Sequence, residues 1–273
     1  ALHADREGRL WVGTHNGLVV IGPDGCLALL AGTREQVGSD LPWVVDDFCE
    51  ARDGTIWLAT HSGAVHYDGL AFRLFTIAEG LPSNHLTCVA ETRSGHICVG
   101  TWGAGLSVYD GRVWNWAARP DGLVHESVQD IVEDPDGRMW VASEGGLMRY
   151  RRYETPPAVA LTAVVADRRM EPSGLLEVPV STGLLAFEYR GRSLTTRPGR
   201  MVYLYRLRGA HEDWRQTRQT RVEYAELAVG RYVFEVQAVD RDMNYSRAPA
   251  CVQVEVVPDP VIQGLSALFV PKR

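Results

Sequence analysis

One short phrase recurs four times in the first half of the chain: Gly8-Arg9-Leu10-Trp11-Val12-Gly13-Thr14, Gly54-Thr55-Ile56-Trp57-Leu58-Ala59-Thr60, Gly95-His96-Ile97-Cys98-Val99-Gly100-Thr101 and Gly137-Arg138-Met139-Trp140-Val141-Ala142-Ser143. Its first glycine returns after 46, 41 and 42 residues. A fixed period in this range marks a solenoid or a propeller, because one unit cannot bury its apolar face alone and needs copies stacked beside it.

The residues inside each copy say which. Asp53-Gly54 and Asp136-Gly137 spell tight hairpin turns that need positive φ. Ile56 and Leu58 then alternate with Trp57, the period of a strand with two different faces. A β-rich run precedes each turn, at Trp43-Val44-Val45, at 85–90 and at 128–132. A second glycine turn follows the phrase (Asn16-Gly17, Ser62-Gly63, Ala104-Gly105, Gly145-Gly146), leading to third runs such as 64–67 and 106–109. Tyr67-Asp68-Gly69 and Tyr109-Asp110-Gly111 then turn into fourth runs at 72–75 and 113–116. Four short antiparallel strands per repeat make a propeller blade.

The expected units are 1–40, 41–80, 81–122 and 123–154, the last without its outer strand. They are joined by connectors of one kind: Asp40-Leu41-Pro42, Gly80-Leu81-Pro82 and Gly122-Leu123-Val124. Closed propellers have about four to eight blades, so four units either close tightly as four or, the reading preferred here, are the end of a larger ring. On this reading the blades before Ala1 are missing, and an uncovered blade face would take them as partners. The repeated Trp11, Trp57 and Trp140 are expected to be structural. Each buried indole removes about 150–250 Å² from water, on the order of 4–6 kcal/mol before conformational entropy. Cys98 stands in their place in the third copy, which should therefore pack less tightly.

After Thr155-Pro156-Pro157 the period stops and the charge changes sign. Residues 1–154 carry 12 arginines against 21 acids, whereas 155–273 carry 16 basic residues against 13 acids. Strands are expected at 158–165, 175–180, 184–189, 201–207, 221–224 and 252–257. Leu227, Gly230 and Tyr232 before an alternating run form the tyrosine corner of an immunoglobulin-like sandwich, with the Tyr232 hydroxyl bonding backbone across the corner. The whole is expected to be all-β: a partial propeller arc of about four blades, then an immunoglobulin- or fibronectin-like β-sandwich over 155–258. A weakly structured tail, 259–273, follows.

The net charge of −6 argues against nucleic acid and anionic membrane surfaces. Five cysteines without C-x-x-C spacing give neither a disulfide framework nor a zinc motif. The run 261–270 is too short to span a bilayer and ends at Pro271-Lys272-Arg273.

The Gly-x-Leu/Ile/Met-Trp-Val-Gly-Thr phrase with its Gly-Leu-Pro connector resembles the regulator-propeller repeats of bacterial two-component sensors. Tyr203-Leu204-Tyr205-Arg206-Leu207-Arg208-Gly209, Trp214, Tyr224 and 227–234 resemble the triple-tyrosine domain that follows such propellers. The resemblance implies a periplasmic, extracytoplasmic part of an inner-membrane receptor, often for oligosaccharides. A membrane helix and an intracellular output would follow, and the state of the propeller would be relayed through a homodimer of the sandwich. Neither the membrane helix nor the output module is expected within residues 1–273.

Within a blade, the first and third turns lie on one face of the ring, and the second turn and connector on the other. The first face is monotonous. The second varies, with His15, His61, Trp102 and Glu144 at second turns and Trp43, Asn84, His85, His125 and Glu126 near connectors. Aromatic rings beside imidazoles, amides and carboxylates suit a sugar or similar small ligand; solvated loops are the plainer reading of each residue singly. His15, His61, His85 and His125 also raise a metal site. They come from different blades with no short-range motif, so neither metal nor cofactor is expected. Glu126 and Glu144 are the only acid/base candidates on that face, too few for a catalytic set. A propeller lyase or hydrolase, and a scaffold without a small ligand, remain the rival readings.

Overall fold

The computed structural model describes residues 1–15, 17–28 and 44–259. Trp43, Asn16, the 40–42 connector and the tail from 260 lie outside them. The first blade holds β1 (Leu2–Ala4), β2 (Leu10–Thr14), β3 (Gly17–Ile21) and β4 (Leu27–Ala28). The second holds β5 (Val45–Glu50), β6 (Ile56–Thr60), β7 (Gly63–Tyr67) and β8 (Phe72–Phe75). The third holds β9 (Leu86–Glu91), β10 (Ile97–Thr101), β11 (Leu106–Tyr109) and β12 (Trp114–Ala117). The fourth has three strands, β13 (Val128–Glu133), β14 (Arg138–Ser143) and β15 (Gly146–Arg151). Each sheet is an antiparallel meander in chain order.

Every fixed residue of the repeat has a bond that explains it. The first turn closes through the glycine N–H, donated at 3.0 Å from Gly8, Gly54, Gly95 and Gly137 to Asp5, Ala51, Thr92 and Asp134. The last residue of the phrase clamps the second turn: Thr14, Thr60, Thr101 and Ser143 donate their hydroxyls to the carbonyls of Gly17, Gly63, Gly105 and Gly146 at 2.7–2.9 Å. Gly63 cannot be replaced cheaply, because its φ is 135° and a Cβ there would stand 2.1 Å from the Phe75 carbonyl oxygen. In the third turn the Tyr67 and Tyr109 hydroxyls donate to Gly69 and Gly111, and Asp68 and Asp110 each accept two backbone N–H groups. The connectors agree as well: Gly80 and Gly122 take φ of 111° and 107°, and Leu81 and Leu123 are buried behind them.

Adjacent blades are stitched by an Arg and a Glu that recur with the period, though the period does not show that they meet. Glu50, Glu91 and Glu133 end the first strand of their blades and accept the backbone N–H of Arg6, Arg52 and Arg93 on the preceding blade. The same arginines donate their guanidinium to the carbonyls of Arg52, Thr92 and Pro135 on the following one. Between the sheets lie apolar layers. Trp11 packs with Val45, Phe48 and Leu58 of the second blade, and Trp57 with Leu86, Tyr109 and Trp114 of the third. The third layer has Cys98 instead, among Cys88, Leu106, Leu123, Val128 and Val141. That junction contains a cavity of about 60 Å³ lined by Leu106, Val108, Leu123, Met139 and Met148.

Trp11 and Trp57 are buried, but Trp140 is only half-buried. It stands in the fourth blade, where no further blade among the described residues covers its ring. Arg149 lies over it at 5.6 Å, and its indole N–H donates to Asp134 at 3.1 Å. Trp11 has the matching partner in Asp5, at 2.7 Å. Burial opposes ionisation of Asp5, yet the bonds from Trp11 and Arg9 hold its carboxyl below the ordinary range.

The chain divides into two compact units. The first comprises Ala1–Thr155 with Thr195–Arg200 and Asp240–Met243. Within it Arg200 stacks 3.5 Å from the Trp116 ring and pairs with Asp121, whose backbone carbonyl accepts from Arg241 at 2.7 Å.

The second unit is a two-sheet sandwich. One sheet takes β16 (Ala158–Val165), β17 (Arg169–Met170), β19 (Leu184–Arg192) and β22 (Arg221–Ala225). The other takes β18 (Leu175–Pro179), β20 (Val202–Arg208), β21 (His211–Thr217), β23 (Gly230–Val239) and β24 (Ala250–Val257), with β18 parallel to β24. Alternate residues of both face inward, so Phe187, Tyr189, Tyr203, Leu207, Phe234 and Val254 form the core. Phe187 and Phe234 stack across it at 4.1 Å. The Tyr232 hydroxyl donates to the Ala228 carbonyl at 2.9 Å. Arg206 and Arg208 spend their charge on Glu235 of the same sheet.

Candidate functional site

The variable face gathers its residues into two groups. The larger sits where the second blade meets the third. His61 follows the last residue of β6, and its backbone N–H donates to the Val44 carbonyl, extending the ladder one step beyond the strands. The Thr60 hydroxyl accepts from Ser62 N–H while donating to Gly63, so the turn that presents His61 is braced on both sides. His85 lies just before β9, and its carbonyl accepts from Trp102 N–H at 3.0 Å in the same ladder position. The backbone therefore fixes all three side chains at strand ends.

Their rings then form a row. The His61 and His85 centroids are 3.8 Å apart, and Trp102 lies nearly parallel to His85, at 5.9 Å and 16°. Trp102 is 56% exposed, the most open of the described tryptophans. Asp46, on β5, closes the group: its Oδ2 accepts from His61 Nε2–H at 2.9 Å. A carboxylate only accepts, so this contact places the His61 proton on Nε2. Burial, and after it the neighbouring His61, push the His85 imidazole below its ordinary pKa, while Asp46 pulls the other way. His85 is thus a neutral ring with a lone pair to offer.

The second group is His125 and Glu144 on the fourth blade. His125 Nδ1 accepts from Ser127 N–H at 3.1 Å and stands 3.9 Å from Glu144. The other expected residues do not join either group. Asn84 Oδ1 accepts from Ile77 N–H at 2.9 Å, which ties the connector. The Glu126 carbonyl accepts from Gly105 N–H at 2.8 Å. His15 is exposed on the first blade's second turn, and Trp43 lies outside the described residues. Of the four histidines considered for a metal, two come together.

Asp46 is the residue the sequence reading missed. The signal existed: the equivalent places in the third and fourth blades are Thr87 and Gln129, so only the second blade sets an acid beside its turn histidine.

Residues 122–145 match the two component regulator propeller, and 195–257 match the Y_Y_Y domain. One segment of the propeller half thus matches a regulator-propeller repeat, and the second half carries a Y_Y_Y match. No curated protein matches it by sequence. Among solved structures, it is similar to the extracellular domain of BT3049 from B. thetaiotaomicron, described as a hybrid two component system, with 21% identity and a TM-score of 0.52. That likeness covers 94% of this chain and 38% of the other, so the chain spans well under half of its relative. The extracellular domain of BT4673 from the same organism, described as a one component system, follows at 13% identity and TM-score 0.33, covering 94% and 56%. Virginiamycin B lyase from Staphylococcus aureus follows at 12% and 0.40, covering 90% and 82%. The first of these supports the fold; the two weaker ones add nothing to it.

Proposed function

We propose that this regulator-propeller and Y_Y_Y pair is the extracytoplasmic, ligand-sensing region of a bacterial two-component-type receptor. It takes an oligosaccharide or similar small ligand on the face that carries His61, His85 and Trp102. The observation that carries this reading is the ring row itself. An indole 56% exposed and parallel to an imidazole leaves an apolar plane open to water. The C–H face of a sugar can cover such a plane while its hydroxyls bond to imidazole and carboxylate, which is how a mixed polar and aromatic surface recognises a ligand. The chain acts here by binding and not by turnover: of the two carboxylate–imidazole pairs on that face, Asp46 and His61 bond to each other, and His125 and Glu144 stand 3.9 Å apart on another blade. The sandwich would pass the bound state onward through a homodimer.

Calorimetric titration of the chain with a panel of oligosaccharides tests the proposal. A glycan that binds should lose about tenfold in affinity to Trp102→Ala, for roughly 1–1.5 kcal/mol of lost ring contact. Binding unchanged in that variant rules out the face, and shortened or eliminated product would favour an enzyme.

A further inference from the structure

We infer that Asp46, His61 and His85 form a binding site for a first-row divalent metal ion of the zinc class. The site shares two residues with the proposed sugar platform but does not depend on it, because it needs only the three donor atoms.

One ligand atom from each residue lies within 4.8 Å of the other two. Two elements of one blade and the entry to the next supply them, so the site exists only because the blades are stacked. On a tetrahedral zinc with bonds of about 2.0–2.1 Å, ligand atoms stand about 3.3 Å apart. The His61 Nε2 to Asp46 Oδ2 distance of 2.9 Å is already near that value, with a proton where the ion would sit. The metal takes the place of that proton at Nε2, solvent returns a proton to Nδ1 so that His61 stays a neutral imidazole, and Asp46 then meets the cation directly. His85 needs a shift of an ångström or so, which a half-exposed side chain can supply by small χ rotations. Its ring is held from the far side by Trp102, which keeps it turned toward His61.

The donor set decides the class of ion. Two imidazoles and one carboxylate suit Zn²⁺, Ni²⁺, Co²⁺ or Cu²⁺; magnesium and calcium prefer all-oxygen cages. Three protein ligands leave at least one coordination position for water or for an atom of a bound ligand. His61 and Asp46 are 38% and 34% exposed, so the ion can enter from solvent and that position faces outward.

The untagged 273-residue chain, freed of metal with a chelator, is titrated with ZnCl₂ by calorimetry and with CoCl₂ by visible absorption. The expected result is one saturable site per chain and ligand-field bands of a four- or five-coordinate cobalt ion. The site should disappear in His61→Ala and His85→Ala and weaken in Asp46→Asn. It should persist in His15→Ala and His125→Ala. All five side chains are at least partly open to solvent, so thermal unfolding without metal should match across the set, which separates loss of the site from loss of the fold. Saturation absent in the wild type overturns the inference. So does saturation that survives the combined His61→Ala and His85→Ala change, or that is lost with His15 or His125. Trp102→Ala retains all three ligands, so metal binding should persist there, weakened at most by loss of the ring that steadies His85, while loss of sugar binding in the same variant concerns the platform alone.

Discussion

Asp242 gives the chain a built-in dependence on pH whose sign can be worked out. It is 3% exposed, on the segment Asp240–Met243 that belongs to the propeller unit, and neither carboxylate oxygen has a well-formed hydrogen bond. Burial raises its pKa from 3.8 to about 6, with the Tyr153 backbone N–H pulling weakly downward. The folded protein therefore holds this proton at pH values where the unfolded chain has released it. Below pH 3.8 both states are protonated and Asp242 costs nothing. From there to about pH 6 each rise in pH favours the unfolded chain, and above pH 6 the cost is constant. At about 1.4 kcal/mol per pH unit the window is worth about 3 kcal/mol, and water entering around the ionised group trims that to about 2.

Asp242→Asn keeps the shape, and its amide oxygen can still face the Tyr153 N–H, but the charge is gone. Stability of the variant minus that of the wild type should be near zero at pH 4 and rise to about 2 kcal/mol in the variant's favour at pH 7.5. Other carboxylates titrate in both proteins and cancel in the difference. Urea unfolding followed by tryptophan fluorescence reads the right unit, since every described tryptophan but Trp214 belongs to it. A difference that stays flat from pH 4 to 7.5, or a variant less stable than the wild type at the upper end, would refute the reasoning.

Two further changes test the blade and sandwich accounts separately. Gly63→Ala drives a Cβ into the Phe75 carbonyl at a φ of 135°, and should cost more than about 3 kcal/mol; Gly54→Ala, at a φ of 85° with nothing within 4 Å, should cost about 1 kcal/mol, and equal losses in urea melts would discount the close approach. Tyr203→Phe removes the hydroxyl that accepts from the Gly191 N–H at 2.9 Å in the sandwich core, leaving a buried donor unpaired at about 1–3 kcal/mol, read as a shift of the unfolding midpoint with an unchanged denaturant slope.

Much of this molecule can be read from its sequence because the interactions that define a blade are local. The glycine of each turn, the Thr or Ser that clamps the next turn, and the Asp of Tyr-Asp-Gly all act across four residues or fewer. A repeat displays such bonds several times over, so the pattern names the fold. The same holds for Tyr232, whose partner Ala228 is four residues away. β21 was less visible. His211–Thr217 is polar at nearly every position, because it is the edge strand of its sheet and turns little of its surface inward.

What stayed hidden acts between blades, because the period shows that a charged residue recurs but not which residue of the next blade it meets. Arg52 and Glu91 are 39 residues apart, and each resembles an ordinary charged residue of a solvated turn until the blades are stacked. Asp46 and His85 stand as far apart in sequence, and where the second blade has Asp46 the third and fourth have Thr87 and Gln129. Repetition therefore marks what the blades share, which is structure. The departures from it mark where this propeller differs from a generic one: Cys98 buried in a layer where the other copies carry Trp, and Asp46 with His61 on a face whose opposite side is uniform. A functional site in a repeat protein is best sought where one copy breaks the pattern and a neighbouring copy brings a complementary group within reach. The junction of the second and third blades is that place here.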